Sequence, residues 1–72
     1  MTVGVAVNEP ASADLRLLRR RRTALARRFE LAAGANVLRL MVPRRLHGRY
    51  TLRLTVTDAS GARLTLSRMV KL

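Results

Sequence analysis

The densest chemistry in this sequence is cationic. Arg19, Arg20, Arg21 and Arg22 form an unbroken run, Arg27 and Arg28 follow shortly after, and Arg44, Arg45 and Arg49 make a second group. Adjacent guanidiniums repel one another, and each presents a planar fork of donors that matches the oxygens of phosphate or sulfate. Both groups are therefore candidate anion-binding sites. No catalytic constellation is legible. His47, the only histidine, sits in RRLHGRY among arginines and reads as an exposed loop residue. Ser12, Ser60 and Ser67 show no pairing with a base that sequence can reveal, because a nucleophilic triad is defined by geometry. There is no cysteine nucleophile and no glycine-rich phosphate loop, and the carboxylates Glu9, Asp14, Glu30 and Asp58 are scattered. Asp58 alone falls short of a calcium ligand set, so neither a metal nor another cofactor is expected. These residues point to a non-enzymatic protein.

Composition sets the frame in which the arginines act. Fifteen Lys and Arg against four Asp and Glu give a net charge of +11 over 72 residues, and only Lys71 among the fifteen is lysine. Such a balance suits nucleic acid, anionic glycans or lipid headgroups as partners. The preference for Arg, together with the absence of Ile, Gln, Trp and Cys, is also what GC-rich coding leaves behind, and charge runs commonly form solvated faces. Phe29 and Tyr50 are the only aromatics, too few to stack successive bases. Binding to DNA or RNA would therefore be independent of sequence and steeply dependent on salt. A chain of this length makes at most one domain, with a core of Leu, Val and Ala and no disulfide to staple it. No run approaches the length of a membrane helix. MTVGVAVNEP lacks the basic and apolar regions of a signal peptide, so an export signal would lie elsewhere in a longer chain.

Hydropathy patterning places these arginines on and between strands. From 50 to 57, Tyr50, Leu52, Leu54 and Val56 alternate with Thr51, Arg53, Thr55 and Thr57, the period of a half-buried antiparallel strand. Asp58 and Gly61 bound a turn in which Asp closes an Asx turn and Gly supplies positive φ. Beyond it Ala62, Leu64, Leu66, Val70 and Leu72 share one face, with Arg68 alone breaking the apolar side near an edge where its stem can snorkel. The two runs make a hairpin. Residues 35–43 alternate Leu38, Leu40 and Val42 against Arg39 and Met41 until Pro43, and Val3, Val5 and Val7 alternate until Pro10. Residues 12–31 read in two ways. As two strands they turn Ala13, Leu15 and Leu17, then Leu25, Phe29 and Leu31, inward. As one helix they use good helix formers under a Ser12 or Asp14 cap, with Arg22 interrupting the apolar stripe. Local propensity favours the helix and an α+β domain; the neighbouring strands favour the hairpin.

Three consecutive stretches, NEPASADLRLLRR, LAAGANVLRLMVP and HGRYTLRLTVTDASGARLTLSRMVKL, resemble immunoglobulin-like and fibronectin type III-like β-sandwich modules. The likeness is strongest to small modules near the C-terminus of actinobacterial surface and secreted proteins. It is carried by the turn pattern L-x-x-G-x-N, by Gly48-Arg49-Tyr50-Thr51-Leu52, and by Asp58-Ala59-Ser60-Gly61. The resemblance implies an all-β fold: a small Ig-like antiparallel β-sandwich of about six strands, with residues 1–72 as a single domain, a fragment or the C-terminal module of a longer protein. It implies that Tyr50 ties a corner, ring buried and hydroxyl bonded to backbone, after a bend at Gly48. The sequence departs from the family in having about six strands rather than seven, and in lacking the inter-sheet cysteines and the core Trp. One edge is then missing or supplied by a neighbour. Open strand edges invite pairing with other domains of a parent chain or with another protein, while arginines on the outer faces oppose self-association.

Two functional expectations follow. The first is a non-catalytic structural or interaction module, a spacer or binding scaffold of an extracellular or cell-surface protein. The second is a small cytoplasmic protein that binds nucleic acid or an anionic glycan through an arginine-rich hairpin tip. The expected core is Leu15, Leu17, Leu25, Phe29, Leu31, Leu38, Leu40, Val42, Tyr50, Leu52, Leu54, Val56, Leu64, Leu66 and Val70.

Overall fold

The computed structural model describes all 72 residues and contains six strands and no helix. They are β1 (Thr2–Val7), β2 (Ala11–Arg19), β3 (Arg22–Leu31), β4 (Gly34–Arg39), β5 (Arg49–Asp58) and β6 (Arg63–Lys71). Residues 12–31 are a hairpin, and the helical alternative falls. Long-range pairing decides it: β2 lies between β3 and β5, with Leu15 opposite Leu54 and Leu17 opposite Leu52. On the other side Ala13 meets Phe29 and Leu17 meets Leu25. Leu15 and Leu17 lose all contact with solvent there, so tertiary pairing on both sides of β2 overrides the helical propensity of the segment. A register shift between Leu17 and Leu18 absorbs one extra residue of β3 as a bulge.

The strands form two antiparallel sheets, β3-β2-β5-β6 and β1-β4, packed as a small sandwich 35 Å long. Between them lies a core of Ala13, Leu15, Leu17, Leu25, Leu31, Leu38, Leu40, Tyr50 and Leu54. Val3, Val5 and Val7 close it from β1, and Phe29, Leu52, Val56 and Val70 pack around it. Two expected core residues lie outside. Leu64 and Leu66 point to the inner side of β6 yet remain 59% and 56% exposed. Two strands cannot roof four: β1 reaches over β5, and β6 is left uncovered.

Side chains fix the turns. Asn36 accepts from the Ala32 N–H at 3.1 Å and donates to the carbonyls of Ala32 and Gly34, closing the β3–β4 link. Asp58 Oδ1 accepts from the Ser60 N–H, the Ser60 hydroxyl and the Ala62 N–H at 2.9, 2.6 and 3.0 Å, the Asx turn expected before Gly61. The Ser60 hydroxyl above all, with help from the Ala62 and Ser60 N–H groups, holds the Asp58 carboxyl below its usual value against the opposing effect of desolvation.

Candidate functional site

Chain direction brings the cations together. Successive strands run in opposite senses along the long axis, so the starts of odd strands and the ends of even strands share one end of the sandwich. That end holds Arg19 to Arg22 at the β2–β3 tip, Arg39 at the close of β4, Arg44 and Arg45 in the loop after it, Arg49 opening β5, and Lys71 closing β6. No acidic side chain lies there. Glu9, Glu30 and Asp58 sit at the opposite end, and Asp14 part-way along β2. The two arginine groups that stand out in the sequence thus share one end of the sandwich, together with Arg39 and Lys71, which belong to neither run.

Arg19 ties the surface together. Its Nε donates to the Arg49 carbonyl at 3.4 Å, its Nη2 donates to the His47 carbonyl, and its guanidinium stacks 4.1 Å from the centre of the Tyr50 ring. Desolvated on one face by the ring, that charge gains a cation–π contact as well as its hydrogen bonds. Gly48 makes room for it, because a Cβ there would lie 2.5 Å from Arg19 Nη2. Gly48 also has a φ of 97° and exchanges backbone hydrogen bonds with Leu72, extending the β5–β6 ladder by one pair. Tyr50 is buried as expected, 4% exposed, but its hydroxyl has no partner in the chain. The corner is tied through the ring face and Arg19 instead of through the hydroxyl.

Arg20 and Arg21 occupy the two positions of the hairpin turn, with φ of 50° and 66° between the paired residues Arg19 and Arg22. Two left-handed residues in a two-residue loop make a type I′ turn, for which Asn-Gly is the relaxed choice. Here two arginines hold it, at a conformational cost of about 1–2 kcal/mol per residue. Beside the tip a shallow hollow of about 570 Å³ is lined by Arg19, Arg20, Arg49, Tyr50, Thr51 and Met69. Arg44, Arg45 and His47 are exposed in the adjoining loop.

Other arginines stand apart from this end. Arg27 and Arg28 lie about 17 Å along β3 from the tip at about 3.3 Å per residue. Arg28 faces outward opposite Asp14, and Arg27 lies on the inner side of the edge strand opposite Leu15. Arg16, Arg28, Arg53 and Arg63 line a polar depression with Asp14 on the outer face of the large sheet. Arg16 and Asp14 form the one ion pair, at 3.2 Å and well exposed, where such a pair contributes little. The hydrogen bonds that Arg16 donates to the Asp14 carboxylate, then the charge of that carboxylate, raise the pKa of the Arg16 guanidinium above its usual value. No group of His, Cys, Asp and Glu gathers in a way that could hold a metal ion, and no helix is long and apolar enough to cross a membrane. Comparison with protein-family models, curated proteins and solved structures finds no match.

Proposed function

We propose that this chain is a non-catalytic β-sandwich module, of the immunoglobulin-like or fibronectin type III-like kind its sequence resembles, that binds a sulfated or phosphorylated polymer at its basic end. A place in a longer extracellular or cell-surface protein belongs to the same reading. One observation carries it: the cationic side chains of two arginine groups and two strand ends gather at one end of the sandwich, where no acidic side chain answers them. Guanidiniums crowded within a Debye length of about 8–10 Å repel one another, and a polyanion relieves that repulsion while releasing its own counterions. The arginines held in the strained turn support it further, since strain kept at a surface tip has no packing rationale. Arg19, occupied by Tyr50 and two carbonyls, would position the surface; Arg20, Arg21, Arg22, Arg44, Arg45 and Arg49 would meet the anion.

Fluorescence anisotropy tests this with labelled heparin-type glycan and labelled duplex DNA. Replacing Arg20, Arg21, Arg22, Arg44 and Arg45 by Ser should weaken binding of both polymers by about a hundredfold or more. Replacing Arg16, Arg28 and Arg53 on the outer face should cost much less. Equal losses from the two variants would mean that charge acts diffusely and the end is no site.

A further inference from the structure

Three of the four sheet edges are guarded. β3 carries Arg22, Arg27 and Arg28, β6 carries Arg63, Arg68 and Lys71, and β4 carries Arg39; Arg27 and Arg68 are moreover on the inner side of their strands. Charges placed so are the usual means of stopping a strand from recruiting another. β1 has none: its sequence is TVGVAV, with neither charge nor proline. Met1 and Leu40 exchange hydrogen bonds across the β1–β4 ladder at 3.2 and 2.8 Å. Counting in twos along the register, Val3, Val5 and Val7 also bond to β4. The N–H and C=O groups of Thr2, Gly4 and Ala6 therefore point away, along a free edge. That edge faces the uncovered side of β6. Between them two largely apolar hollows succeed one another as a shallow groove, one lined by Val3, Gly4, Leu54 and Leu66 with Arg68 at its margin, the other by Ala6, Val7, Val56 and Leu64 with Glu9, Asp58 and Arg63.

We propose that this edge and groove take up an extended acidic segment of another protein, which adds to β1 as a strand and lays its inward side chains over Leu64 and Leu66. Six residues of β1 set its length at about 20 Å. Charge sets its character. A second copy would bring +11 against +11, whereas Arg68, unpaired at the Val3 end of the groove, sits opposite an inward position of the added strand and calls for a carboxylate there. Glu9 and Asp58, beside Arg63 at the far end, make the segment neutral at that end. Main-chain bonds supply affinity and the alternate side chains specificity, as in strand addition generally.

The probe is a labelled seven-residue peptide with glutamate, valine, leucine and valine at alternate positions and threonines between, alongside the same peptide with lysine for glutamate. Anisotropy at about 0.15 M salt should show the glutamate peptide binding tenfold or more tightly than the lysine peptide, a difference of about 1.4 kcal/mol. Gly4→Pro removes an N–H that points away from β4, and Leu66→Glu places a carboxylate in the open groove. Each should weaken the peptide about tenfold or more, with circular dichroism confirming that the fold is kept. The basic-end serine variant should bind it as wild type does, which separates this surface from the polyanion site. Binding lost in that variant, binding indifferent to both Gly4→Pro and Leu66→Glu, or no binding at all would overturn the proposal. So would a wild-type dimer in sedimentation that Gly4→Pro converts to monomer, because the occupant would then be a second copy.

Discussion

Leu15→Ala and Leu66→Ala remove the same atoms from opposite situations. Leu15 lies in the middle of β2, between Leu54 of β5 and Arg27 of β3, with no exposed surface. Truncating a fully buried leucine costs about 2–5 kcal/mol through lost transfer energy and the cavity left behind. A 72-residue domain holds about 4–11 kcal/mol at the usual 0.05–0.15 kcal/mol per residue, so Leu15→Ala removes a large share of it. At about 4–8 °C per kcal/mol, a central cost near 3 kcal/mol lowers Tm by about 12–24 °C. Leu66 is 56% exposed and borders an open groove, so its truncation leaves no enclosed cavity and forfeits less than half of its transfer energy. That loss is about 1 kcal/mol or less, or at most about 4–8 °C. Thermal melts followed by far-UV circular dichroism, with urea titrations as a check, measure both. Equal losses would contradict this difference, since β6 would then have a covered inner face and no groove would lie beside β1.

Relaxing the hairpin turn should separate stability from binding. Arg20→Asn with Arg21→Gly installs the preferred type I′ residues and should raise stability by about 1–2 kcal/mol, seen as a higher Tm, while heparin affinity falls. Gly48→Ala should destabilise by about 1–3 kcal/mol, from positive φ and displacement of the Arg19 guanidinium. Near-UV dichroism of Tyr50, the only tyrosine, should change in the same variant. Asp58→Asn should lower Tm at neutral pH only. The Asp58 carboxyl is held below its ordinary value in the fold, so its contribution is present above the unfolded value and lost as pH falls through the folded one. Melts of wild type and Asp58→Asn should therefore converge in acid.

How much of the fold and the site is legible in the sequence varies with the range of the interaction. β5 and β6 are plain because alternation of Tyr50, Leu52, Leu54 and Val56 with threonines and Arg53 is a local pattern, closed by a local Asp58 turn. β2 and β3 are ambiguous because Ala, Leu and Arg suit a helix, and the choice between helix and hairpin rests on partners some forty residues away in β5. Alternation names the inner face of β6 correctly but cannot tell that the facing sheet stops short, so Leu64 and Leu66 fall outside the core they were expected to join. The arginine groups are visible as runs. Their convergence needs the direction of every strand, and the same directions add Arg39 and Lys71. The distinct part played by Arg19 has no sequence signal, since it depends on a meeting in space with Tyr50 and the loop before it.

Anion binding at one end of the sandwich is open to a direct test by NMR. Amide chemical shifts of the labelled protein, followed as a short sulfated oligosaccharide is added, locate binding residue by residue. Shifts should concentrate at Arg19 to Arg22, at residues 44–49 and at Lys71, while Asp14, Arg16, Arg53 and the Asp58 turn stay still. Shifts spread evenly over the outer face of the large sheet, or centred on Arg16, Arg28 and Arg53, would contradict it.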